Sequence, residues 1–191
     1  MIHIVIPEGL NRLDGTGQPL SDYYEACLLR VAVMAGNGEA VYLAPGNAFG
    51  HAHPEDEIAA SFLQQLRSDL ITYYVGGARQ GYLDTLDNAV WLREWARRHN
   101  QWPMAECWLY CNRYHVVRTW LCFRVAGYQA RRIVACAPAK RSGLIVPRLR
   151  YYDFPAANLV YEALAIAHTF LRLAKNVIRT GSLLPAQEKT S

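Results

Sequence analysis

The sequence of 191 residues contains no long hydrophobic run, and this absence restricts the classes of protein to which it can belong. No window approaches the roughly 18 consecutive uncharged apolar residues that a membrane-spanning helix needs. The N-terminal stretch MIHIVIPEG has no basic region, and its apolar run is too short for a signal peptide. We therefore predict a soluble, cytoplasmic protein without a membrane partner.

Several signatures of particular functions are also missing. The five cysteines cannot all pair, and most lie in apolar runs, as is typical of buried thiols in a reducing compartment. A net charge of +4 is too small to indicate a nucleic-acid partner. There is no G-x-S-x-G elbow of a serine hydrolase, and the glycine spacing matches neither a dinucleotide-binding fingerprint nor a P-loop.

What the sequence does contain is a regular alternation of short apolar runs with longer helical patterns. The apolar runs predict strands at 2–6, 40–44, 70–75, 107–111 and 132–137. Helices are predicted at about 21–35, 54–66, 85–99, 113–126 and 156–178. The runs are nearly continuous, as in strands that are buried on both faces of a parallel sheet.

This alternation predicts an α/β fold, a Rossmann-like three-layer sandwich whose mostly parallel sheet of about five strands has helices on both faces. We predict a single domain over residues 1–179 and a frayed polar tail over residues 180–191. The last helix carries an apolar stripe that should dock it onto the domain: Leu159, Ala163, Ile166, Phe170, Leu173 and Val177. Docking onto a second copy, and hence a homodimer, is the alternative.

Ligands of such folds bind outside the carboxyl ends of the strands. The loops at that edge hold most of the polar and glycine residues of the chain: PEGLNRLDGTG, APGNAFGHAH, VGGARQGYLD, CNRYH and APAKRSG. Glycines let a backbone approach a ligand closely, so we predict ligand contacts at Gly46 and Gly77, and at Asn11 among the glycines of the first loop. Tight turns are the alternative explanation of the glycines.

The stretch CNRYHVVRTW, which follows the fourth strand, holds the strongest candidates. With Asn112 as N-cap, His115 falls in the first turn of the fourth helix, and Arg118 follows one turn later on the same face. A helix N-terminus disfavours the imidazolium, so His115 is expected to be neutral and to accept a proton. Arg118 offers a fork for a carboxylate or phosphate. The alternative is a packed or capping histidine and an arginine paired with a neighbouring Asp.

Asp84 and Asn88 lie four residues apart and share a face at the start of the third helix. Asp84 is a natural N-cap, and capping does not prevent a catalytic role. The amide of Asn88 is a poor helix former, so we predict that it binds the ligand or braces His115. Cys111 precedes His115 by four residues and would allow a thiol–histidine pair, but a buried thiol is the simpler interpretation.

The stretch HAHPEDE raises the question of a metal site. If His53 and Glu55 converged, with His51 nearby, they could hold a divalent ion. An ordinary helix start explains the same residues, because Pro54 suits the first helical position and acidic residues complement the helix dipole. We therefore predict no bound metal.

Several of these segments together resemble the YdcF-like family, also described as the ElyC/SanA/YdcF domain. The similarity extends from about residue 2 to residue 138. Tyr114, His115 and Arg118 match the Thr-Ser-x-Tyr-His-x-x-Arg segment of that family, with CN in place of Thr-Ser. Thr85 and Asn88 match its Asn-Thr-x-Glu-Asn motif, which opens a helix, and APG after the second strand stands in place of Ser-Gly-Gly.

The resemblance implies a Rossmann-like fold whose ligand meets Asn112, Tyr114 and one acid of the second helix, Glu55 or Glu57. The family includes a member reported to bind S-adenosylmethionine and members tied to the cell envelope. S-adenosylmethionine is therefore a candidate cofactor.

These observations together predict a soluble enzyme that acts on a small polar or anionic molecule, nucleotide-like or bearing phosphate or carboxylate. In this hypothesis His115 is the general acid or base, Arg118 clamps the anion and Asp84 completes the catalytic group. A tailoring step in a biosynthetic pathway would suit such a protein. The alternative is a non-catalytic module that binds S-adenosylmethionine or a nucleotide.

Overall fold

The computed structural model describes residues 1–10, 20–46, 54–77, 82–104, 106–139 and 154–182, and strands alternate strictly with helices in these ranges. The strands are β1 (Ile2–Val5), β2 (Ala40–Leu43), β3 (Ile71–Tyr74), β4 (Cys107–Asn112) and β5 (Ala130–Cys136). The helices are α1 (Asp22–Met34), α2 (Glu55–Leu66), α3 (Thr85–Arg98), α4 (Val116–Val125) and α5 (Pro155–Thr180). Each element overlaps a range predicted from the sequence.

The five strands form one parallel sheet in the order β3-β2-β1-β4-β5, which confirms the predicted α/β fold. The central strand is β1, where Ile4 pairs with Tyr42 of β2 on one side and with Leu109 of β4 on the other. Following the chain, β2 and then β3 are added on one side of β1, and β4 and then β5 are added on its other side. The direction of sheet building, in which successive strands are added, therefore reverses between β1 and β4.

Burial differs between the central and the edge strands. Ile4 and Val5 of β1 and Leu109 and Tyr110 of β4 are fully buried. None of the four residues of β3 is buried, and in β5 only Val134 and Cys136 are. The prediction that all strands are buried on both faces is therefore wrong for the two edges, because each edge strand has a neighbour on one side only.

Helices cover both faces of the sheet. On one face, Leu86 of α3 and Phe123 of α4 pack in a core with Ile4 and Leu109. On the other face, residues of α1 and α2 pack in a second core with Val5, Val41 and Tyr110. Among the described helices, none combines the length and hydropathy that crossing a lipid bilayer requires.

The capping predictions had different outcomes. Asp84 caps α3 as predicted, since its side chain accepts hydrogen bonds from the backbone N–H groups of Leu86 and Asp87, both at 2.9 Å. The prediction that Asn112 caps α4 is wrong, because the helix begins at Val116 with His115 in the N-cap position. Asn112 is instead the last residue of β4. The backbone N–H of residue 113 also donates to the Cys136 carbonyl of β5, so the chain stays extended there and the helix begins later.

The longest helix, α5, docks through a different face from the one predicted. Its buried residues are Asn158, Glu162, Thr169 and Leu173, so that three of the four are polar. Of the predicted apolar stripe only Leu173 is buried. The prediction of an apolar docking stripe is wrong because α5 lies over polar side chains at the starts of α3 and α4: Glu162 binds His115 and Arg118, and Arg172 binds Asp84.

Candidate functional site

A buried group of charged residues lies where the direction of sheet building reverses. Glu8 follows β1 by three residues, and His115 follows the neighbouring strand β4 by three residues. The backbone N–H of Asn112 donates to Glu8 Oε1 at 2.7 Å, which ties the two loops together. Such a reversal opens a crevice between two loops at the carboxyl edge, and it is the usual ligand site of an open α/β sheet.

His115 occupies the centre of this group. Its Nδ1 lies 3.0 Å from Glu8 Oε2, and its Nε2 lies 3.1 Å from Glu162 Oε1. The histidine is 7% exposed, so both hydrogen bonds form away from bulk water. An imidazole with a carboxylate at each nitrogen can donate to both only when it carries two protons.

The environment therefore favours the charged imidazolium. Burial by itself lowers the pKa of His115, but the negative charge of Glu8 and the hydrogen bonds to Glu162 and Glu8 outweigh it and raise the pKa to about 9. The prediction of a neutral His115 is wrong. A helix N-terminus contributes only a partial positive charge, whereas two carboxylates lie within hydrogen-bonding distance.

Arg118 adds a second cation on the next turn of α4. Its Nε and Nη2 donate to the two carboxylate oxygens of Glu162, both at 2.9 Å, and its guanidinium lies 5.6 Å from the centre of the Tyr161 ring. Burial opposes ionisation of Glu162, but His115 and Arg118 hold the pKa of that carboxyl below its usual range. Among the described residues, the carboxylate that Arg118 binds is that of Glu162 in α5. One carboxylate is bound by an arginine fork and an imidazolium together.

Asn112 adds a hydrogen-bond donor to the buried group around His115. Its Oδ1 accepts from the backbone N–H of Tyr114 at 3.1 Å, whereas its Nδ2 has no hydrogen-bond partner among the described residues. The residue is 0% exposed. A buried amide donor without a partner is costly, and an acceptor group of a bound molecule would remove that cost.

Beside this group lies an open cavity of about 690 Å³ between the start of α3, Arg118 and α5. The side chains that give it chemical character are Tyr82, Asp84, Arg118, Tyr161, His168 and Arg172. Asp84, predicted to be catalytic, is bound there by Arg172 Nη1 at 2.8 Å. Asp84 therefore shares a cavity with Arg118 but holds α5 in place at the same time.

Asn88 lies at the start of α3 as predicted, with 5% of its surface exposed. With its amide nitrogen facing the two carbonyls, it donates to the backbone oxygens of Asp84 and Pro45, both at 2.9 Å. These bonds join α3 to the loop after β2. The expected bracing of His115 comes instead from Glu8 and Glu162, which contact it directly.

The acid of α2 that was expected to meet a ligand holds loops together. Glu55 is 1% exposed, and its Oε2 accepts from the backbone N–H of Gly9 at 3.2 Å. Gly46 lies against the same carboxylate, since a Cβ there would come within 2.8 Å of Glu55 Oε2 and 2.6 Å of Pro7 Cβ. Gly77 has a φ of +80° and donates its N–H to Glu57. These contacts account for both glycines as backbone requirements.

The side chains of the other predicted residues make other contacts or lie outside the described ranges. The hydroxyl of Tyr114 accepts from Arg113 Nη2 at 2.6 Å. Burial raises the pKa of the Cys111 thiol, which argues against a reactive thiolate. Asn11, His51 and His53 lie outside the described residues, and within the described ranges no group of three or more His, Cys, Asp or Glu side chains is arranged to hold a metal ion.

Two residues of the group, Glu8 and Glu162, were not among the predicted site residues. Glu8 was one of several polar residues in the first loop, and Glu162 was hidden in an apolar helix. A signal for Glu162 does exist, because it is the only acidic residue between positions 154 and 182. A single acid in a long apolar and basic helix indicates a buried partner.

Comparison of the chain with protein-family models, with curated proteins and with solved structures finds no match. The resemblance to the YdcF-like family stays a prediction, and the geometry of the site carries the functional argument.

Proposed function

We propose that this chain is an enzyme that binds a small anionic molecule, bearing phosphate or carboxylate, at the carboxyl edge of the sheet between β1 and β4. The observation that carries the proposal is the carboxylate of Glu162, which is held by the fork of Arg118 and by Nε2 of His115. An anionic group of a ligand would exchange with this internal carboxylate and meet the same donors. The spare Nδ2 donor of Asn112 lies in the same group of residues.

The proposed chemistry is proton donation by His115. With a pKa of about 9, His115 carries its second proton at neutral pH, so it serves as a general acid more readily than as a base. Glu8 holds Nδ1 and thereby keeps Nε2 directed at the anion. Arg118 stabilises negative charge on the group that receives the proton. The neighbouring cavity offers room for the rest of a small molecule.

The test uses the internal carboxylate as a competitor. Glu162→Gln removes its negative charge but keeps its shape, so an external anion should bind Arg118 and His115 more tightly than in the unaltered protein. The probes are inorganic phosphate, adenine nucleotides and S-adenosylmethionine, and the readout is the Kd by titration calorimetry. The double variant Arg118→Gln/Glu162→Gln should lose the gain, whereas Arg124→Ala, an exposed arginine of the same helix, should have no effect.

Retention of the gain by the double variant would refute the role of Arg118. If neither the unaltered protein nor Glu162→Gln binds any of these probes, the proposed site is wrong. Circular dichroism spectra of each variant keep a failure to fold distinct from a failure to bind.

The second candidate function is a binding module without catalysis, for S-adenosylmethionine or a nucleotide. It is favoured by the engagement of both ring nitrogens of His115 and by Tyr82 and Tyr161, two rings of the cavity that can stack on a purine. The two candidates differ in turnover. Binding of a probe with no chemical change to it over long incubation, in both the unaltered protein and Glu162→Gln, would favour the module.

A further inference from the structure

The outward side of α5 is a broad apolar surface. Its large side chains are 52–87% exposed: Leu159, Val160, Leu164, Phe170, Leu171 and Ile178. At 100° per residue they fall within an arc of about 140° along a helix of 26 residues, which is about 39 Å long. An apolar surface of this extent usually marks an interaction site.

The surface continues onto α4. Phe170 shares a groove with Leu121 and Val125, at the line where α5 crosses α4. Beyond this line, Val117 and Trp120 of α4 are 59% and 45% exposed. Two helices therefore present one apolar surface, which we call the α5 surface. It contains a tryptophan, the residue type that favours the interface between lipid and water.

Charge decides which partner fits the α5 surface. The only acid of α5, Glu162, is buried, whereas Lys175 and Arg179 are exposed beside the apolar arc. Residues 140–191 contain eight basic and three acidic residues, a net charge of +5, whereas residues 1–139 contain twelve basic and thirteen acidic ones, a net charge of −1. All of the net positive charge thus belongs to the part of the chain that includes α5.

We propose that the α5 surface binds peripherally to an anionic lipid bilayer. Apolar side chains flanked by lysine and arginine on one helix are the pattern of helices that lie in the headgroup region. A second copy of the chain is less suited to this surface, because each copy would bring the cations Lys175 and Arg179 to the interface. The sequence prediction of no membrane partner rested on the lack of a spanning run, which a helix lying on the bilayer does not need.

The test is flotation of the full-length protein with two kinds of liposome, one of phosphatidylcholine alone and one that also contains phosphatidylglycerol. The protein should float with the anionic liposomes and stay below with the neutral ones. Leu171→Glu should abolish flotation, because it places a charge in the middle of the apolar arc. The matched control is Val33→Glu, since Val33 of α1 is 78% exposed and lies on another face.

The basic residues are tested by Lys175→Gln/Arg179→Gln. Each basic residue near an anionic surface contributes roughly fivefold to partitioning, so the double change should lower the partition coefficient about 25-fold. Arg98→Gln on α3 is the control and should leave it unchanged.

Three results would overturn the proposal. The first is an unaltered protein that does not float with anionic liposomes at low salt. The second is equal loss of flotation in Val33→Glu and Leu171→Glu. The third is a dimer by light scattering in the absence of lipid that Leu171→Glu converts to monomer, which would assign the α5 surface to a second copy instead.

Discussion

Replacing His115 with glutamine is expected to remove a pH-dependent part of the free energy of unfolding. In the folded protein the imidazolium lies between Glu8 and Glu162, and Arg118 contacts the same Glu162. Burial and the positive charge of Arg118 lower the pKa of His115, but the negative charge of Glu8 and the hydrogen bonds to Glu162 and Glu8 outweigh them and raise it from 6.5 to about 9. A folded-state pKa above the unfolded one means that the folded protein binds the proton more tightly, so protonation stabilises the fold.

The magnitude follows from the size of the shift. A difference of one pKa unit corresponds to about 1.4 kcal/mol, so the rise from 6.5 to about 9 corresponds to about 3 kcal/mol. This contribution is complete below pH 6.5, decreases as the pH rises and is lost once the pH passes about 9. The difference in free energy of unfolding between the unaltered protein and His115→Gln should therefore be largest at pH 6.5 and below. It should decrease by about 3 kcal/mol by pH 9.

The assay is urea unfolding followed by circular dichroism at a series of pH values across this window. Groups that titrate elsewhere in the chain affect both proteins equally and cancel in the difference. His168→Gln serves as the control, because His168 is an exposed histidine of α5 and takes no part in the carboxylate contacts of His115. If the difference between His115→Gln and the unaltered protein is constant across the window, the reasoning is refuted. A ring-nitrogen NMR titration of His115 with a midpoint at or below 6.5 would refute it independently.

Two further predictions concern the parts of the fold that hold the site. Gly46→Ala should lower the free energy of unfolding by about 1–3 kcal/mol in the same urea assay, because its Cβ would overlap Pro7 and Glu55; a fully stable variant would contradict the packing described. Asp84→Asn should keep the helix cap and lose the charge that holds Arg172, whereas Asp84→Ala should lose both and cost about 1 kcal/mol more. Equal melting temperatures for the two Asp84 variants would show that the cap does not contribute.

The fold could be predicted from the sequence because its signals are local. Each strand is a short apolar run and each helix has its own start, as with Asp84, whose side chain meets backbone groups two and three residues later. The predicted start of α4 was wrong because a contact between residues distant in sequence sets where this helix begins. The bond from the backbone of residue 113 to Cys136 of β5 keeps the chain extended past Asn112, and no pattern within the helix itself reports that bond.

The sequence alone determined the alternation of strands and helices, the edge of the sheet where polar loops gather, and the importance of His115 and Arg118 as candidates. Only the tertiary structure decided the charge of His115 and the identity of the carboxylate that Arg118 binds. Glu8 comes from 107 positions before His115, and Glu162 lies 44 positions after Arg118. Electrostatic energy depends on distance in space, so the charge of His115 and the anion in the fork of Arg118 were set by chain segments that only folding brings together.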